Sequence, residues 1–225
     1  MTIGLYLLFA AFLAWIGGIR RRTIRLRTAA LLVLLPLVFA AGPLARGEAL
    51  APADIEFSFP PQRSAWEEYG VERVSAPNFS DVAVQLIPWQ EAVRFALRHG
   101  EAPLWNPFIL AGDVLATSMQ PAPAYPLHLL GLLLPLADAV GFVLLATLFL
   151  AAFGIFLLAR GLLRCGEPAA LFGAIAYALS SYVFFWSHWN VGYMASLAPW
   201  VLLAVWRLAA PAQNVPAATV LLTAG

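Results

Sequence analysis

Asp81 and Gln85 stand four residues apart, so a helix through them carries both on one side, one turn apart. A carboxylate held beside an amide at a membrane boundary can act as a general base or bind a cation. The plainer reading is an acid in the first turn of a helix capped by Ser80, where the helix dipole favours it. Asp54-Ile55-Glu56 is a second acidic motif, a D-x-E pair that could bind a divalent cation, although two acids so spaced are common by chance. Trp105-Asn106-Pro107 sets an aromatic plate beside an amide. A sugar suits that pair, since its apolar face stacks on rings while its hydroxyls want hydrogen bonds. Interfacial placement of Trp and turn opening by Asn-Pro explain the same residues without a ligand. Gln120-Pro121 and Tyr125-Pro126 read as loop punctuation first and as site residues second. Glu101 and Asp113, which flank the Trp-Asn-Pro turn, are further candidate acids or merely solvated ones. His188, between Trp186 and Trp189, either faces an outer cavity or keeps its polar tip in interfacial water.

The elements that must hold these residues follow from periodicity. Pro88 should break or kink the helix begun at Ser80, and a second piece should start at Pro88, a favoured first-turn position. From Pro88 to His99, Trp89, Ala92, Val93, Ala96 and Leu97 form one apolar stripe, with Gln90, Glu91, Arg94 and Arg98 on the other side. That pattern predicts an amphipathic helix lying in a membrane interface. Gly100 ends the helix, and the run to Pro126 reads as ordered loop. Upstream, FSFPP at Phe57 to Pro61 reads as a short edge strand or a turn.

Composition assigns the class. Hydrophobic residues make up 62% of the 225 and charged residues 11%, against about a half and a quarter in soluble domains. The chain is therefore read as an integral membrane protein. All thirteen basic residues are Arg, and the single cysteine, Cys165, can form no internal disulfide. No P-loop, dinucleotide fingerprint, zinc spacing or nucleophile elbow is present. Basic residues gather at turns between apolar runs, which argues against nucleic acid as a partner.

The fold class expected is all-α, a polytopic helical bundle in three parts. Residues 1–45 hold two transmembrane helices, 46–136 an extracytoplasmic loop with interfacial helices, and 137–225 further transmembrane helices. Met1 to Ile19 has its Arg cluster after the apolar run, the reverse of a cleaved signal, so it reads as a retained helix. Thr28 to Ala45 is a second run, interrupted by Pro36. Five Arg and no acid join the two, and the positive-inside rule places that linker in the cytoplasm. The N-terminus and residues 46–136 then lie on the outer side of the membrane. From Arg46 to Pro126, ten acids outnumber five Arg. Leu127 to Leu136 is too short to span. Ala139 to Ala159, Ala169 to Ser187 and Trp189 to Trp206 read as spans, and Leu208 to Gly225 starts another; ending inside an apolar run, the chain reads as an N-terminal fragment.

The motifs D-V-A-V-Q-L-I-P-W from Asp81, G-E-A-P-L-W-N-P-F from Gly100, A-G-D at Ala111, Q-P at Gln120 and Y-P at Tyr125 occur in an order that resembles the bacterial YfhO-type membrane proteins. The helix ending A-R-G-L-L-R-C-G at Ala159 and the next, opening A-A-L-F-G-A-I-A-Y-A-L at Ala169, fit the same pattern. The likeness covers roughly Ser80 to Arg207. That family is related to the GT-C glycosyltransferases, multi-spanning enzymes that use polyprenyl-phosphate sugars. The resemblance implies a GT-C-like fold in which Asp81 is the acid of the first large external loop, a catalytic base or metal-associated acid. It implies a lipid bilayer, a polyprenyl-phosphate sugar donor and an envelope glycan or lipid acceptor as partners. Gln85, Trp105, Asn106, Gln120 and Tyr125 would bind substrate, with Arg94 or Arg98 on the phosphate. Two departures stand out: the loop follows the second apolar run, not the first, and no D-x-D surrounds Asp81. The alternative is a non-enzymatic membrane protein that transports or assembles envelope polymers, against which the near absence of ionisable residues in the spans counts.

Overall fold

Long apolar runs become helices because a chain in lipid must pair its own backbone groups. The computed structural model describes residues 1–20, 24–71, 73–74 and 76–209. α1 (Thr2–Ala14) continues into a π-helical turn at Trp15–Ile19. α2 (Leu26–Phe39) carries Pro36 inside it and is followed by the short α3 (Ala41–Ala45). Short 3₁₀ turns follow at Asp54–Ser58, Gln62–Ala65 and Pro77–Phe79, then a π-helical turn at Val82–Leu86 that leads into α4 (Ile87–Arg98). β1 (Trp105–Asn106) and β2 (Asp113–Val114) pair antiparallel. α5 (Pro126–Gly131), α6 (Leu136–Gly161), α7 (Glu167–Ala178), α8 (Ser181–Phe185) and α9 (Asn190–Ala209) complete the described chain.

The described residues are mostly helical, with almost no strand. Among the described residues, three helices are long and apolar enough to cross a membrane: Thr2–Ile19, Leu136–Gly161 and Asn190–Ala209. These apolar helices point to a lipid bilayer environment.

Several expected boundaries move. The span expected from Thr28 to Ala45 is two helices, parted at Ala40. The span expected from Ala169 to Ser187 is also two, because Ser180 leaves helical geometry and its hydroxyl caps α8 by accepting the Val183 N–H at 3.3 Å. Phe57 and Ser58 end a 3₁₀ turn, so no edge strand forms there. Residues 210–225, most of the last expected run, lie outside the described residues.

Contacts divide the chain into two compact units. One holds Met1–Thr2, Ala41–Leu144 and His188–Asn190; the other holds Ile3–Ala40, Leu145–Ser187 and the chain from Val191. The second unit is built on the C-terminal part of α6, where Phe149, Phe153 and Phe156 are fully buried. Phe149 and Phe153 stack with centroids 5.3 Å apart, and Tyr6 meets Phe149 edge-on. Polar groups here are paired, as an apolar surrounding demands. The Tyr6 hydroxyl donates to the Val33 carbonyl at 2.5 Å, Trp200 Nε1 to Leu150 at 3.0 Å and the Tyr177 hydroxyl to Ala195 at 2.8 Å. Gly154 permits the Trp200 approach, since a Cβ there would lie 2.6 Å from the indole nitrogen.

Candidate functional site

The expected site residues all fall in the first unit. Helical geometry begins earlier than expected, at Pro77, whose fixed φ suits a first turn. Ser80 therefore lies inside the helical path with φ −53° and ψ −37°, not at an N-cap. Asp81 is exposed, caps nothing with its side chain, and has no hydrogen bond or ion pair among the described residues. Gln85 is exposed too.

Between Asp81 and α4 the backbone widens into the π turn, where the Ile87 N–H bonds the Val82 carbonyl five residues back. Pro88 accounts for this. It lacks an N–H, and its ring would strike the carbonyl four residues earlier in a regular helix. A wider turn just ahead of Pro88 absorbs that conflict. The expected break is thus a continuous helical path with one widened turn.

α4 buries Ala92, Val93 and Ala96, and the first two pack with Leu115 and Trp89. Leu97, expected in the stripe, is exposed. Arg94, expected on the polar side, is instead buried, with 5% of its surface exposed. Its Nη1 donates to the Leu134 carbonyl and its Nη2 to the Gly131 carbonyl, both at 2.8 Å. A long stem at the stripe's edge lets the guanidinium reach carbonyls at the end of α5, where a cation also complements the dipole. Burial pulls its pKa below the ordinary value, while the neighbouring Glu91 carboxylate opposes that shift. Arg94 is therefore a structural clamp, with two donors already committed. Arg98 is exposed and pairs with Glu91 at 3.1 Å.

The loop that follows is more ordered than expected. The Leu115 N–H bonds the Leu104 carbonyl at 2.8 Å, extending the β1–β2 hairpin by a rung. Asn106 is buried, and its Oδ1 accepts the Phe108 N–H at 3.0 Å, an Asx turn that opens the loop. Trp105 is half exposed and lays its indole over Gly112, whose φ is +114°. A Cβ on Gly112 would sit 2.4 Å from that ring. Gln120 is exposed, whereas Tyr125 is buried and meets His128 edge-on. Trp105 and Asn106 are adjacent in the strand, yet only the indole is available to a ligand; the amide serves the turn.

Sequence reasoning passed over Gln90 and His128. Gln90 Nε2 donates to the Pro121 carbonyl at 2.6 Å, and His128 Nδ1 lies 3.0 Å from the Ala122 carbonyl. The same Nδ1 also lies 3.2 Å from Gln90 Nε2, which can only donate, so a carbonyl and an amide N–H compete for it. Burial pushes the His128 pKa down to about 4, against the opposing effect of its bond to Ala122. The signal available was the Tyr125/His128 spacing of three in a segment opened by Pro126. His188 is partly buried, and that burial likewise drives its pKa down to about 4. Its neighbour Trp189 is buried against Phe79, with centroids 5.8 Å apart.

Glu101 is exposed, and Asp113 Oδ1 accepts its neighbour's N–H from Val114 at 2.7 Å. Asp54 and Glu56 share one 3₁₀ turn and are partly buried. No three His, Cys, Asp or Glu side chains converge as a metal centre among the described residues. Set against family models, curated proteins and solved structures, the chain matches none.

Proposed function

We propose that the chain belongs to a GT-C-like membrane glycosyltransferase of the YfhO type, acting at the outer face of a bacterial membrane with Asp81 as general base. One observation carries the reading: Asp81 is an exposed, uncommitted carboxylate at the head of an amphipathic helix, in a chain whose apolar helices imply a bilayer. The reactive carbon of a polyprenyl-phosphate sugar lies at headgroup depth, where such a helix would rest. Asp81 takes the proton of the acceptor hydroxyl as that oxygen bonds the anomeric carbon. The bond from that carbon to phosphate oxygen breaks, and the lipid phosphate leaves with the electron pair. Gln85 and Gln120 are exposed and free to orient hydroxyls, and the Trp105 ring offers a stacking face. Arg98 is the arginine of α4 left to meet phosphate, by exchanging its Glu91 partner, since Arg94 is spoken for.

Asp81→Asn keeps shape and removes the basic lone pair. In the producing cell, at unchanged expression, it should lower an envelope glycan modification roughly 100-fold or more. Wild-type glycan levels in that variant would sink the assignment.

A further inference from the structure

A cleft of about 660 Å³ opens in the second unit, lined by no residue of the proposed external site. The start of α2, the end of α6 and the start of α7 meet there. They supply Arg25, Arg27, Arg160 and Glu167, with Leu31 and Leu171 as apolar walls. Three guanidiniums face one carboxylate, and that carboxylate is already engaged. Glu167 pairs with Arg25 at 3.2 Å and accepts the Thr28 hydroxyl. Arg160 gives one N–H to the Cys165 carbonyl at 2.7 Å, which leaves most of its five donors unassigned. Arg27 is exposed and has no hydrogen bond or ion pair among the described residues. The cleft is therefore electropositive and rich in N–H donors, the chemistry that phosphate oxygens satisfy.

What lies below Arg27 selects among phosphates. Arg27, Leu31, Leu34 and Val38 recur at spacings of four, three and four, so they line one side of α2. Leu31, Leu34 and Val38 are 55%, 48% and 71% exposed. From Leu31 to Val38 this apolar strip runs about 10 Å along the helix. A soluble phosphate has no use for it, whereas an acyl chain attached to the phosphate would lie along it.

We infer that this cleft binds the headgroup phosphate of an anionic phospholipid, with Arg27 as its open contact and the Leu31–Leu34–Val38 strip beside one acyl chain. The positive-inside rule assigns this Arg-bearing end to the cytoplasmic leaflet, where anionic lipids draw basic groups. The site stands apart from the glycosyltransferase reading and survives its failure.

The full chain, purified in a neutral detergent, is titrated with phosphatidylglycerol or phosphatidylcholine, and retained lipid is counted by native mass spectrometry. Phosphatidylglycerol should be retained in preference, and Arg27→Gln should weaken its retention about fivefold, the worth of one arginine near a charged surface. Arg27→Lys should lose less, and Arg73→Gln, an exposed arginine outside the cleft, should lose nothing. Circular dichroism verifies that each variant is folded. Equal retention of both lipids, or Arg27→Gln behaving as wild type, overturns the proposal. Displacement of the lipid by millimolar inorganic phosphate also overturns it, and would mark a free-phosphate site instead.

Discussion

Removing the Arg94 guanidinium would strand the Leu134 carbonyl and take one of two donors from the Gly131 carbonyl, which also accepts the Leu134 N–H at 3.0 Å; an unpaired buried acceptor costs more than a lost surface bond. Arg94→Ala should destabilise the fold by about 2–3 kcal/mol, read as a lower midpoint of thermal unfolding in detergent. Arg94→Lys should recover part of the loss, because one ammonium cannot fork to both carbonyls. An unchanged midpoint with lost activity would return Arg94 to the role of phosphate ligand. The sequence placed Arg94 on the polar side of α4 because arginine normally sits in water. Periodicity sees only residue type, and the partners that make burial tolerable come from residues 131 and 134. From sequence, Asp81 reads as an acid in the first turn of a helix capped by Ser80, and that cap is absent because Pro77 starts the helical path earlier.

At the level of elements, the β1–β2 hairpin shows what pattern reading misses. Two-residue strands carry no alternation to detect, and Trp-Asn-Pro announces only a turn. The loop between them holds Leu110, Ala111 and Gly112 in succession at positive φ, of 50°, 61° and 114°. Gly112→Ala would add strain at the φ that glycine tolerates best and collide with the Trp105 indole. A cost of about 2–4 kcal/mol follows, with a red shift of tryptophan emission as the ring is displaced. Unchanged emission and stability would mean the loop rearranges freely. The long helices were legible because apolar length is a strong signal. The break at Ser180 was not, since one side-chain cap decides it.

Across the first unit, two partly buried imidazoles tie stability to pH. His128 and His188 each have a folded pKa of about 4 against an ordinary 6.5. Above about 6.5 neither the folded nor the unfolded chain binds these protons, and the contribution to stability is whole. As the pH falls from 6.5 towards 4, the unfolded chain takes up protons that the folded chain resists, and stability is lost by up to roughly 3 kcal/mol per histidine. Thermal unfolding in detergent should therefore fall steeply between pH 6.5 and 4.5, and His128→Gln should remove about half of that slope. A flat profile would mean that water reaches both rings. Composition made the membrane class readable from the start, but not this coupling, because the groups that surround His128 and His188 come together through packing, which periodicity does not see.

The widened turn at Val82–Leu86 has a bearing on how the chain tolerates change in length. An α-helix turns about 100° per residue, and a π turn accommodates one residue more than its regular counterpart. The direction in which Asp81 points, measured against the stripe that seats α4, is thus set by a single inserted position. Shortening this segment by one residue would keep every side chain named above and still swing the carboxylate to a different quarter of the helix. In this stretch, counting residues matters as much as conserving them.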